Sequence, residues 1–232
     1  MNRFLKKVGC ICAAVTLPLF IVSCASSEKA ASTPPASLYA DAAPLDLRLS
    51  KWPYPYPLKE FKTSLQGQPA SMMYMDVAAL GKARGVVVLF HGKNFSSDYW
   101  APTIAGLSKA GYRVIAPDQI GFGKSSKPDV EYHFDDLAAN TQALLKSLNV
   151  QKVSVIANSM GGMVGIRFAR LYPQTVQKLV LENPLGLEDY SKDIPPQKND
   201  DLLKLEMAQT ETSYRRFLQS YFPNWQPSYE KF

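Results

Sequence analysis

Cysteine is nearly missing from this 232-residue chain, and the three that occur, Cys10, Cys12 and Cys24, all lie within its first 24 residues. From Ala25 onward neither a disulfide framework nor a cysteine metal site can form. Histidine is scarcer still: His91 and His133 are the only two, and none follows Ser159. The apolar stretch from Val8 to Val22 is shorter than the roughly 20 residues a spanning helix needs, so a permanent transmembrane helix is not expected. There is no basic run either. The net charge is +6, but Arg3, Lys6 and Lys7 supply three of those charges before any acidic residue appears. The remainder is scattered, without the interleaved aromatics that follow a nucleic-acid backbone, and no nucleic-acid partner is expected. A content of 46% hydrophobic and 20% charged residues excludes disorder throughout.

What is present begins with a basic start, M-N-R-F-L-K-K, then the apolar stretch, then small residues, the pattern of a targeting signal. It closes on I-V-S-C-A-S-S, which resembles the bacterial lipoprotein signal. The resemblance implies that residues 1–23 are removed and that Cys24 carries a lipid. The mature chain would then sit on a membrane of the bacterial cell envelope. Ala25 and Ser26 do not include the aspartate that retains some lipoproteins at the inner membrane, which leans the placement towards the outer one, facing the periplasm. An ordinary secretory signal with an incidental cysteine is the alternative. Residues 24–51, rich in Ala, Ser and Pro, bury too little apolar area to offset the entropy of ordering and read as a tether.

The fold is expected to begin near Trp52. W-P-Y-P-Y-P-L is an extended lead-in, because each proline biases its predecessor away from helix. F-K-T-S-L-Q-G-Q and S-M-M-Y-M-D-V-A read as two strands about a turn at Gly67. V-V-V-L-F, Val86 to Phe90, suits a strand buried on both faces of a parallel sheet. Helix is predicted over Tyr99 to Lys109, Phe134 to Leu148 and Met160 to Tyr172, and strand over Tyr112 to Asp118, Val153 to Ala157 and Lys178 to Asn183. This alternation predicts an α/β fold with a doubly wound, mostly parallel sheet of about six strands. Ligands in such sheets bind beyond the carboxyl ends of the strands. Three marked sequences fall there: H-G-K-N after Phe90, D-Q-I-G-F-G-K-S after Pro117 and N-S-M-G-G after Ala157.

From about Phe61 to Asp189 these motifs resemble the α/β-hydrolase superfamily, in its capped branch with a serine nucleophile. A-N-S-M-G matches the nucleophile elbow G-x-S-x-G, with Ala157 in place of the first glycine. The resemblance implies that Ser159 attacks a carbonyl carbon and that the backbone N–H groups of Met160 and Lys93 stabilise the oxyanion. No cofactor or metal is called for, and the substrate is a small-molecule ester or other acyl compound. Serine at the elbow argues against the epoxide hydrolase and haloalkane dehalogenase branches, which use aspartate there. Asp118 and the loop Gly121 to Ser125 read as scaffold, His91 as a residue that orders its loop, and His133 as a surface or lid-facing residue.

The family order places an acid and then a histidine after the serine, and this sequence has no such histidine. Glu182, at the end of the sixth strand, is a candidate acid; the other reading is a residue that bonds the cap loop. The core is expected over residues 52–184 and the start of a helical cap over 185–232, with apolar positions at Leu202, Leu203, Leu205 and Met207, while the last two strands of the family core are missing. The sequence therefore reads as a hydrolase cut short within its cap. If it is complete, it is an envelope lipoprotein without catalysis that serves binding or assembly. Its oligomeric state is open.

Overall fold

The computed structural model describes residues 45–189, 192, 195, 197–221, 224 and 226. The signal over residues 1–23, the lipid site Cys24 and the tether up to residue 44 lie outside the described residues. The last expected tether residues are tied down: the Asp46 carboxylate accepts the N–H groups of Arg48 and Ser50, and Arg48 donates to Ser71 Oγ at 2.7 Å.

Six strands form one sheet in the order β1-β2-β4-β3-β5-β6. β1 (Leu58–Leu65) and β2 (Gln68–Val77) form an antiparallel hairpin. Gln66 and Gly67 both have positive φ, the two-residue turn whose twist matches that of the strands. β1 starts three residues before the predicted strand because Pro57 is the last residue that cannot donate to the ladder. β2 joins the edge of β4 (Tyr112–Pro117) antiparallel, and β4, β3 (Gly85–Phe90), β5 (Val153–Asn158) and β6 (Val176–Glu182) run parallel.

The connections set the layers. A 3₁₀ turn (Ser97–Trp100) and α1 (Ala101–Lys109) follow β3; the predicted single helix from Tyr99 divides there, with Pro102 in the first turn of α1. Val87 and Leu89 pack with Trp100 and Ile104 on this face. On the other face Val88, Phe90 and Val155 pack with Leu137 and Leu144 of α2 (Phe134–Ser147) and with Val164 and Phe168 of α3 (Met160–Leu171). The two-residue period of each strand divides its side chains between the layers. Because β4 lies on one side of β3 and β5 on the other, the chain reverses direction about β3, and the carboxyl ends of all three strands open onto one crevice. α4 (Asn199–Met207) and α5 (Glu211–Tyr221) follow β6, and Leu202, Leu203, Leu205 and Met207 are all exposed.

Candidate active site

Ser159 occupies the single residue between β5 and α3, with φ 53° and ψ −120°. A non-glycine residue there carries about 1–3 kcal/mol of backbone strain, which persists only where the surroundings over-determine it. The ties are backbone bonds: Ser159 N–H donates to the Glu182 carbonyl at 3.1 Å, while its own carbonyl accepts from Gly162 at 2.8 Å and Leu185 at 3.0 Å. Close packing explains the small neighbours. A Cβ on Gly161 would press into the Phe90 carbonyl oxygen and lie 2.7 Å from that of His91. Ala157 fits where the motif has glycine because α3 presents Gly165 to it; a Cβ on Gly165 would stand only 3.0 Å from that of Ala157.

The turn after β3 closes on the same corner. A Cβ on Gly92 would lie 3.1 Å from Asn158 Oδ1 and 3.2 Å from Ser159 Cβ, so the backbone that leads into Lys93 stands beside the serine. Met160, first residue of α3, has no intrahelical acceptor for its N–H and stands at the positive end of the helix dipole. Among the described residues neither N–H donates to any group. The Lys93 side chain reaches outward to an ion pair with Glu206 of α4, which brings the start of the predicted cap to the turn.

His91 is completely buried, and both ring nitrogens are engaged. Nε2 accepts the N–H of Gln119 at 2.9 Å, so the proton sits on Nδ1 and is donated to the Gly92 carbonyl at 2.9 Å. Burial holds the imidazole pKa below its ordinary value, keeping it neutral in this role. A ring so occupied orders the loop and has no lone pair left for a serine proton. His133 lines a cavity of about 520 Å³ together with Phe122, Lys127, Tyr132, Phe134, Leu137 and Met160, which links the cavity to the elbow. Its ring is half exposed and stands 4.0 Å from Glu131. No hydrogen bond to Ser159 Oγ is found among the described residues.

Asp118 is fully buried and receives four donors: Ser97 N–H and Oγ–H, each at 2.7 Å, on Oδ1, and Tyr54 O–H at 2.6 Å and Lys124 N–H at 2.8 Å on Oδ2. It has no acceptor capacity left for catalysis. Glu182 closes β6 opposite Asn158, and its side chain is exposed. Burial raises the Tyr99 phenol pKa, and the Glu182 carboxylate adds to the rise. Tyr99 and Gln119 were not singled out from the sequence. Both amide atoms of the fully buried Gln119 have no partner among the described residues. Gln119 lies inside the marked D-Q-I-G-F-G-K-S sequence, and Tyr99 opens the predicted helix, but neither position signals a buried polar group.

A mostly parallel sheet whose strands β4, β3 and β5 bring a strained serine, two unengaged N–H donors and a neighbouring cavity to one crevice defines the hydrolase class of α/β proteins. The comparisons agree: residues 85–232 match the family model described as the alpha/beta hydrolase fold, and the chain belongs to that family. It is 37% identical over 127 residues to the 2-hydroxy-6-oxo-6-(2'-aminophenyl)hexa-2,4-dienoic acid hydrolase of Metapseudomonas resinovorans, covering 53% of this chain and 43% of that protein. It is 35% identical over 107 residues to a haloalkane dehalogenase of Mesorhizobium japonicum, covering 46% and 33%. The chain thus spans less than half the length of these curated relatives. Among solved structures, a probable hydrolytic enzyme from Pseudomonas aeruginosa PAO1 superposes with a TM-score of 0.76 at 45% identity, over 79% of this chain and 60% of that one.

Proposed function

We propose that this chain is a serine hydrolase of small-molecule esters or other acyl compounds, held in the cell envelope by a lipid on Cys24. The observation that carries the catalytic part is the corner itself: Ser159 at φ 53°, flanked by the unengaged N–H groups of Lys93 and Met160. Attack of Ser159 Oγ on a carbonyl carbon would move negative charge onto the carbonyl oxygen, where two preorganised donors and the α3 dipole favour it. The cavity beside Met160, with Phe122, Phe134 and Leu137 among its walls and Lys127, Asp129 and His133 among its polar groups, offers a seat for the acyl or alcohol portion. Glu182 is the candidate acid at the edge of the site, and the exposed position of its side chain leaves it open to a partner.

With neither histidine hydrogen-bonded to Ser159 Oγ among the described residues, acylation lacks an engaged base, and the 232-residue chain is expected to turn over p-nitrophenyl esters very slowly. Loss of one triad member leaves a residual rate about 10³–10⁴-fold over water, carried by the oxyanion donors and binding, and any acylation of Ser159 that persists beside it should vanish in Ser159→Ala. Stopped acylation of Ser159 is read by mass spectrometry of the intact chain. Hydrolysis that survives Ser159→Ala unchanged, with no acyl adduct on wild type, would overturn the catalytic reading in favour of an envelope protein that binds. The anchor is tested separately: Cys24→Ser should abolish metabolic labelling by fatty acid, and undiminished labelling would refute it.

A further inference from the structure

W-P-Y-P-Y-P, residues 52–57, lacks half its backbone donors and cannot pair as a strand, so side chains must hold it. Two of them do, and both seize loops of the crevice. Trp52 Nε1 donates to Asp98 Oδ2 at 2.9 Å, in the connection after β3. Tyr54 O–H donates to Asp118 Oδ2 at 2.6 Å, directly after β4. The Tyr54 ring also carries Lys124 Nζ 5.1 Å from its centroid, a cation held over an aromatic face, and the same ammonium donates to the Ser50 carbonyl. Burial, with the neighbouring carboxylate of Asp118, pushes the Tyr54 phenol up, so it remains a donor.

The bond from Tyr54 starts a short physical chain. Asp118 joins the lead-in to Ser97 and Lys124, so its position fixes the two loops together. Gln119, the next residue, sends its N–H to His91 Nε2, and His91 Nδ1–H in turn grips the Gly92 carbonyl. Gly92 C=O and Lys93 N–H belong to one planar peptide and point in opposite directions. Whatever orients that carbonyl orients the Lys93 N–H.

We infer that Tyr54 is a positioning residue for the oxyanion turn: the lead-in preceding the fold sets, through Asp118, Gln119 and His91, the direction of the Lys93 N–H. This rests on the proposed role of that N–H. Tyr54→Phe removes only the hydroxyl and keeps the ring under Lys124. In the full chain, hydrogen exchange at the amides of Ser97, Gln119 and Lys124 should accelerate about tenfold, the size expected for loss of a charge-assisted bond, while amides in α2 stay unchanged. Residual Ser159-dependent acylation by p-nitrophenyl acetate should fall about tenfold in its maximal rate with KM within twofold. Trp52→Phe should accelerate exchange at Ser97 and leave Gln119 unchanged. Equal acceleration in α2 and the loops, or no change at Gln119, overturns the inference. If the ester rate survives Ser159→Ala, the functional reading fails while the exchange result still decides the role of Tyr54 in the turn.

Discussion

Asp118→Ala should lower the melting temperature by about 10 °C and abolish what acylation the chain retains. The buried carboxylate accepts four hydrogen bonds, and alanine offers none. Ser97 is completely buried, so its N–H and hydroxyl would be left without water as well as without a partner. Each stranded buried donor costs about 1–3 kcal/mol, and two such groups with a third and fourth partly rehydrated sum to about 3–5 kcal/mol. For a chain of this size 1 kcal/mol shifts the melt by about 2–4 °C, which gives the expected drop. Asp118→Asn separates the contributions. Its Oδ1 still serves Ser97, while an amide NH₂ faces the Tyr54 hydroxyl and the Lys124 N–H, so the loss should be about half as large. Calorimetry of the three proteins checks both values, and a drop under about 3 °C for the alanine variant would show that the loops hold themselves.

The order of strands and helices was legible because strands buried on both faces read as nearly continuous apolar runs: Val86 to Phe90 is unbroken, and Val153 to Ala157 is interrupted only by Ser154. The elbow was legible for a related reason: the close approach of α3 to β3 demands glycine at Gly161, and the approach of α3 to β5 favours it at Gly165. Contacts between residues far apart along the chain were not legible. Tyr54 and Asp118 are 64 residues apart, and nothing periodic links them. Asp118 was readable as scaffold from its motif, but its four donors come from three segments whose meeting only the sheet order produces. The same holds for His91. Its motif marks it, while its tautomer depends on the N–H of Gln119, delivered by the neighbouring strand. The division of the predicted Tyr99 helix is not visible in the sequence, because the 3₁₀ turn that carries Tyr99 stacked on Trp100 runs directly into α1 without a break in composition.

Gly161→Val is expected to be the most damaging single change in the core. Even the Cβ of alanine would collide with the Phe90 and His91 carbonyl oxygens, which are backbone atoms of the central strand and the turn after it. Neither can yield as a side chain yields, so α3 must lift away from β3. Overpacking of a core costs about 1–3 kcal/mol when side chains can adjust, and here the cost should exceed that range. Lifting α3 also draws the Met160 N–H away from the Lys93 N–H, and loss of one oxyanion donor alone is worth about 10²–10³ in rate. Gly161→Ala should therefore lower soluble yield and the melting temperature sharply, and Gly161→Val should leave no soluble chain. Gly106→Ala is the counterpart. It lies in α1 with nothing within 4 Å of the added Cβ, so the same substitution should stabilise by about 0.5–1 kcal/mol through helix propensity. Equal melts for the two alanine variants would mean that α3 tolerates a wider gap to β3, and the tight seat of the serine corner would then not be what holds Ser159 at its positive φ.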